Sequence, residues 1–405
     1  MKKLVLIDSN AVIHRAYHAL PKSMSTRKGE QTNAVYGFAT TLIKALEDLH
    51  PDYVAASFDV SKATFRTEQY AQYKATRVKA DQELYDQIPR VKELLSAFNI
   101  PIYEKEGYEA DDCIGTIVSR IQNTPACRQG RDNRKQKYTI SPSSSVIPVK
   151  TGIQKNTILD PLVTIRSRAT HGRGKPEDDN NEGMEVYIIS GDKDIYQLID
   201  GNIFVYSLRK GLSQMSVVDR KVIKEEYGLD PEDFIDLKAL AGDASDNIPG
   251  VPGIGPKTAT ELLQRFDTLG KLYDSIETVI PAKAGIQALD PLVKPEDDKK
   301  GTGDDILDKA ARELNIKPRI LRLLIEYKEQ AFLSQSLATI HKEVPIDFDL
   351  NDAKWGEYDR EKVKELFEEL GFHSLLKRFG VERSEEPKTK QAKEQAKKDE
   401  QLKLL

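Results

Sequence analysis

Cysteine is scarce in this 405-residue chain: Cys113 and Cys127 are the two, with no metal-ligand spacing between them. A disulfide framework is therefore not expected, and a reducing cytoplasm is the expected setting. Long apolar runs are also missing. The opening MKKLVLIDSNAVIHRAY is basic at its start, but Asp8 interrupts the apolar stretch after four residues, too few for a signal-peptide core. Nothing approaches the roughly 18 apolar residues of a membrane-spanning helix, so no membrane partner is expected. Nor is one sign of charge in excess: 61 Lys and Arg against 65 Asp and Glu leave a net charge of −4 at pH 7. A nucleic-acid binder is usually basic, so this balance speaks against that class unless acids are concentrated in one place.

What is present is a pattern of alternating elements. Leu4–Ile7, Tyr53–Phe58, Glu185–Ser190 and Asn202–Ser207 are short runs rich in Val, Ile, Tyr and Phe and read as buried strands. Between the first two, Val35, Phe38, Ala39, Leu42, Ile43 and Leu46 follow the spacing of an amphipathic helix. Alternation of this kind implies an α/β architecture with a largely parallel central sheet flanked by helices. After about residue 217 the pattern turns helical.

One duplication interrupts it. VIPVKTGIQ (146–154), LDPLV (159–163) and KPEDD (175–179) recur as VIPAKAGIQ (279–287), LDPLV (289–293) and KPEDD (294–298). Stacked repeats must be neighbours, and these copies are far apart with different internal spacing. They resemble translated copies of a dispersed bacterial palindromic element, and insertions are expected at about 123–183 and 277–305. A longer surface loop costs little closure entropy, so one fold can carry both.

Outside the insertions, the acids are arranged tellingly. Asp8 ends the first strand and Asp59 the second; Asp192 and Asp194 follow the third in SGDKD. In open α/β sheets ligands gather beyond the carboxyl ends of the strands. Glu109, Asp111 and Asp112 open a helix in GYEADDCIG, and Asp243 and Asp246 stand in GDASDN. Taken singly, each reads as a helix-capping acid or a turn. Together, acids crowded at one edge would repel one another unless cations compensated. All-oxygen ligands without Cys or His select hard ions such as Mg²⁺ or Mn²⁺, and nine acids suffice for two of them.

The same segment continues as IPGVPGIGPKTA, where Gly253 and Gly255 permit close backbone approach, Pro256 suits a first helical position, and Lys257 adds charge. Free N–H groups at such a helix start attract phosphate. Bound metals would invert the local charge of the acids, so both halves of the segment point to a phosphate backbone. In TFRTEQYAQYKATRVKA, Arg66, Lys74, Arg77 and Lys79 interleave with Phe65, Tyr70 and Tyr73, either a nucleic-acid surface with a stacking ring or a solvated helix face.

TNAVYGF (32–38), SFDV (57–60), FRTEQYAQYKATR (65–77), GYEADD (107–112), SGDKD (190–194) and GDASDNIPGVPGIGPKTA (242–259) resemble, in order, the 5′–3′ exonuclease domain of bacterial DNA polymerase I, a member of the flap endonuclease family. The similarity covers about 1–122 and 184–276, continues through 312–340, and extends over 351–380 into the segment that leads to the polymerase's next domain. It implies a fold like that of the PIN and flap endonuclease group with a helix-three-turn-helix extension. It also implies a cytoplasmic, bacterial, metal-dependent nuclease acting on DNA with 5′ ends, flaps or nicks.

By position, the resemblance gives Asp8, Asp59, Glu109 and Asp111 to a first metal and Asp192, Asp194 and Asp246 to a second, with Asp112 and Asp243 as outer partners. Lys74 and Arg77 would face the scissile phosphate. Tyr73 would stack on a displaced base, Arg66 would contribute to DNA binding, and Gly253, Gly255 and Lys257 would hold the duplex, with a monovalent cation nearby. Two departures stand out: Ser9 follows Asp8 where the family usually has Gly, and Val78-Lys79-Ala80-Asp81 replaces a proline-rich stretch. The expected organisation is a catalytic domain at 1–216, a helical DNA-binding region at 217–345, a junction-like segment at 346–380 and a charged, disordered tail at 381–405. A monomer is expected, with a separate polymerase as a partner. The alternatives are a non-catalytic DNA-binding remnant, the front piece of a split polymerase, or a small PIN-like ribonuclease, which would lack the glycine-rich grip.

Overall fold

The computed structural model describes residues 1–60, 63–77, 79–123, 183–210, 214–280 and 302–378. Most of the two expected insertions and the whole 381–405 tail lie outside the described residues.

Six strands form one sheet: β1 (Lys2–Asp8), β2 (Tyr53–Ser57), β3 (Ile102–Tyr103), β4 (Met184–Ser190), β5 (Ile203–Lys210) and β6 (Gln214–Val218), in the order β3-β2-β1-β4-β5-β6. The first five pair in parallel and β6 runs antiparallel to β5. Side chains of β1 alternate between two apolar layers. Val5 and Ile7 pack with the helices Asn33–Leu49 and Ile88–Ala97, while Leu4 and Leu6 pack with the helix Ala110–Asn123. A parallel sheet covered on both faces needs such apolar strands, which is why they were legible as runs. The short β3 and the antiparallel β6 add to the four strands expected. The boundary expected at 216 falls inside β6, so the sheet runs on to Val218.

Register brings the strand ends together. Asp8 lies opposite Ser57 at the end of β2, and Ile7 lies opposite Ile189, one residue before the end of β4. Beyond β6 the helices Asp233–Ala241, Pro256–Phe266, Leu269–Val279, Thr302–Glu313, Pro318–Glu326 and Lys328–Ala338 surround an apolar core of their own. The chain then returns to the sheet. The Val54 N–H donates to the Ala353 carbonyl, and the helices Arg360–Glu369 and His373–Arg378 bury Phe367, Phe372 and Leu376 in the layer that holds the Asn33–Leu49 helix. The junction-like segment is thus part of the sheet's own core.

Candidate active site

The acids meet at the carboxyl edge of the sheet. Asp8 is buried at the end of β1, where its Oδ1 caps the helix Ser9–Ala19 by accepting the Ala11 N–H at 3.1 Å and its Oδ2 accepts the Ser190 hydroxyl at 2.7 Å. Burial pushes its carboxyl up to about 7, with the charges of Asp192 and Asp59 adding to the rise. Asp59, just past β2, accepts the Ala110 N–H at 2.7 Å and the Asn10 amide at 2.8 Å. Asp59 thus joins the start of the acid-bearing helix to the strand edge. Ser190 also accepts the Asp192 N–H at 3.0 Å, and Asp192 in turn accepts the Asp194 N–H at 2.9 Å.

Among the described residues, four cations lie among the carboxylates: Arg66, Lys74, Arg77 and Lys238. Lys238 pairs with both Asp194 and Asp243. Burial and the neighbouring Asp192 still hold Asp194 at about 6, against the lowering effect of Lys238. Asp243 is also pushed up by burial, but Lys238 and the Ser245 hydroxyl and N–H outweigh that and leave it at about 2. The Lys74 ammonium donates to Glu109 at 2.8 Å and stands 3.8 Å from Asp246, while Arg77 pairs with Asp246 directly. Burial lowers the Lys74 ammonium's affinity for its proton, and Glu109 and Asp246 more than restore it. Lys74 sits at φ +54°, an uncommon conformation for a residue with a side chain, and its N–H donates to the Asp246 carbonyl at 2.8 Å. Local strain is thereby accepted where the two segments meet.

Among the described residues, no three acidic, histidine or cysteine side chains stand as a closed ligand cage. Lys74 and Lys238 each lie within ion-pair distance of two acids from different segments, and Arg77 pairs with Asp246. The donor set nonetheless fits hard divalent cations. It is all oxygen, and burial pushes Asp111 well above the carboxylate range, with Asp112 adding to the rise, while its Oδ1 is buried without a hydrogen-bond partner.

Two expected roles are corrected. Arg66 is 1% exposed, so it cannot reach a DNA phosphate. Its guanidinium instead makes a two-pronged bond to Asp112, at 2.8 and 2.7 Å, and reaches Glu109 at 3.3 Å. Asp112 is correspondingly saturated: it also accepts the Glu109 N–H at 3.1 Å and the His341 N–H at 2.7 Å. Tyr73 is 5% exposed and packs against Ile248, Leu337 and Ala338, so its ring has no face to offer a base. Its hydroxyl donates toward Glu109 at 3.1 Å and lies 3.4 Å from Asp246.

The glycine-rich loop is where it was expected. Gly250 and Gly253 take φ of +60° and +81°, Gly255 is the N-cap of the helix Pro256–Phe266, and Gly253, Gly255 and Lys257 are exposed. Sequence reasoning missed Ser190, which holds both Asp8 and Asp192, and Lys238, which neutralises Asp194 and Asp243. The signal for a lysine was available in principle, since buried acid pairs need a countercharge.

Residues 3–128 match the 5′–3′ exonuclease N-terminal, resolvase-like domain, and residues 229–291 match the 5′–3′ exonuclease C-terminal SAM fold. Both matched models are domains of 5′–3′ exonucleases. DNA polymerase I of Bacillus subtilis (strain 168) is 35% identical over 384 residues, covering 95% of this chain and 33% of that protein. DNA polymerase I of Caldicellulosiruptor bescii is 32% identical over 383 residues, 94% of this chain and 34% of that protein. The chain therefore spans about a third of the length of the curated relatives it matches. Its fold is that of the T5 5′-exonuclease solved with divalent metal ions (zinc) bound, at a TM-score of 0.50 and 16% identity, covering 92% of this chain and 99% of that one. A bacteriophage T5 flap endonuclease in a pseudo-enzyme–product complex with DNA and metal ions is similar to the same degree, with a TM-score of 0.50 and 16% identity over 91% of this chain and 100% of that one.

Proposed function

We propose that the chain is a structure-specific nuclease that hydrolyses DNA phosphodiester bonds near 5′ ends, flaps and nicks. The observation that carries this is the meeting of acids from five segments of the chain at one sheet edge, with Lys74 and Arg77 among them. Two Mg²⁺ ions, or Mn²⁺ in their place, suit this donor set. Asp8, Asp59, Glu109 and Asp111 would hold one, and Asp192, Asp194 and Asp246 the other. Bound there, the ions would supply an activated water and a stabilised leaving oxygen.

The chain's own residues do the rest. Asp59 and Asp192 are exposed enough to meet incoming ligands, while Ser190 keeps Asp8 and the Asp192 loop in register. Lys74 and Arg77 offer positive charge at the same place, and an arriving phosphate competes with Glu109 and Asp246 for them. Asp243 holds Lys238 against Asp194. The exposed N–H groups after Gly255, with Lys257, would grip the duplex backbone beyond the cut, and a monovalent cation beside that turn belongs to the same reading. A monomer in the bacterial cytoplasm, with DNA as its partner, belongs to the same reading.

Cleavage of a 5′-flap DNA tests this. The wild-type chain is expected to cut with Mg²⁺, and EDTA or Asp192→Asn to abolish cutting. Equal product from wild type and variant would refute the assignment to this site.

A further inference from the structure

Buried Arg66 has a second set of partners that the acids do not account for. Its Nε donates to the Leu337 carbonyl at 3.0 Å and its Nη2 to the Thr339 carbonyl at 2.8 Å. These carbonyls belong to the end of the helix Lys328–Ala338 and the segment after it. On that segment's other side, Gln197 makes a matched pair: its amide donates to the Ala338 carbonyl at 3.0 Å and its Oε1 accepts the Ile340 N–H at 2.9 Å. Gln197 lies in the 3₁₀ turn Asp194–Leu198, directly after the SGDKD acids. Asp112 takes the His341 N–H and Thr116 the Val344 N–H at 2.9 Å. The packing is equally close, since a Cβ on Gly115 would lie 2.5 Å from Ile340 Cγ2. The helix that feeds this segment also holds the glycine-rich loop: Ser334 accepts the Gly250 N–H at 3.0 Å and Gln330 donates to the Gly250 carbonyl at 2.6 Å.

Resting on the nuclease reading above, we propose that Leu337–Val344 is a strut that fixes the separation of the two acid groups, with Arg66 and Gln197 as the positioning residues that grip it from opposite sides. Arg66 ties the strut to Glu109 and Asp112. Gln197 ties it to the turn that carries Asp192 and Asp194. A planar guanidinium suits the first task because its rigid fork serves two carbonyls and two carboxylates at once, which an ammonium cannot do. An amide suits the second because it can donate to one backbone group and accept from the next. The strut thereby makes the acid groups and the duplex-facing loop one rigid unit, so that geometry at the metals is set by segments that touch no metal.

The test uses Gln197→Met, which keeps length and apolar bulk but loses both bonds, and Arg66→Lys, which keeps charge but loses the fork. Mn²⁺ binding to the full chain without DNA is followed by electron paramagnetic resonance, flap binding is measured in Ca²⁺, and flap cleavage is measured in Mg²⁺. Either variant that still unfolds cooperatively is expected to weaken at least one Mn²⁺ site and lower kcat, each by about tenfold, with KM and flap affinity little changed. Mn²⁺ affinity and kcat at wild-type levels in a folded variant would overturn the strut. A wild-type chain that cuts no flap would sink the nuclease reading instead, and the Mn²⁺ comparison would still decide the strut.

Discussion

At the scale of single residues, an acid at the end of a strand was legible and the distant partners of a side chain were not. Asp8, Asp59, Asp192 and Asp194 could be placed because each follows a strand whose apolar run is unmistakable. Arg66 and Tyr73 could not, since nothing in FRTEQYAQY says that a guanidinium will find Asp112, 46 positions away, or that a tyrosine ring will face Leu337. The distinction can be measured. Tyr73→Phe removes a hydroxyl that aligns Glu109 and Asp246 but leaves the buried ring, so flap affinity in Ca²⁺ should stay within about twofold while kcat falls. A large loss of affinity would restore a stacking role. Lys74→Met, in contrast, removes positive charge at the proposed phosphate position and should lower kcat by about a hundredfold; unchanged turnover would remove Lys74 from the chemistry.

Asp8 carries a pH signature. Its folded value near 7 lies above its ordinary 3.8, so the folded state holds its proton more tightly than the unfolded chain does. The stability tied to that proton is fully present below pH 3.8 and is lost as pH rises through 7. In EDTA, Asp8→Asn should therefore gain on wild type as pH rises from about 4 to about 7 and then level off. Thermal unfolding across that range measures the difference; a constant gap would mean that Asp8 is not desolvated.

At the scale of elements, long apolar strands and the periodic helix were visible, and short or half-exposed ones were not. β3 has only Ile102 and Tyr103, too few for any period, and in β6 Val217 is exposed. The glycine-rich segment was legible as a turn that opens a helix, but not the division of labour among its glycines. Gly250 has φ +60°, and a Cβ there would lie 2.2 Å from the Gly242 nitrogen. Gly255 has nothing within 4 Å of such a Cβ. Gly250→Ala should cost at least about 2 kcal/mol of stability, whereas Gly255→Ala should fold normally and weaken duplex binding by crowding the helix N-terminus. Denaturant titration and gel shift separate the two; equal stability of both variants would contradict this account of Gly250.

At the scale of the molecule, sequence suggested a junction after 345, and the structure turns that segment into part of the sheet's core. Val363, Leu366, Phe367, Leu370, Phe372, Leu375 and Leu376 are all buried with the Asn33–Leu49 helix. Each such side chain contributes about 1.5–3 kcal/mol when fully buried, in sum about as much as a domain's typical margin of about 5–15 kcal/mol or more. A chain ended at 345 should accordingly be insoluble or unfold well below the full chain, and a soluble truncation of unchanged midpoint would contradict that. The distance between sequence and site is also greatest at this scale. The acids lie on five segments, and their meeting depends on strand order and on the strut, neither of which spacing alone reveals.

That meeting can be seen directly. Anomalous diffraction from crystals of the wild-type chain grown with Mn²⁺ should show two peaks, one among Asp8, Asp59, Glu109 and Asp111 and one among Asp192, Asp194 and Asp246. Well-ordered crystals with no peak at that sheet edge, or with peaks only elsewhere, would contradict the account.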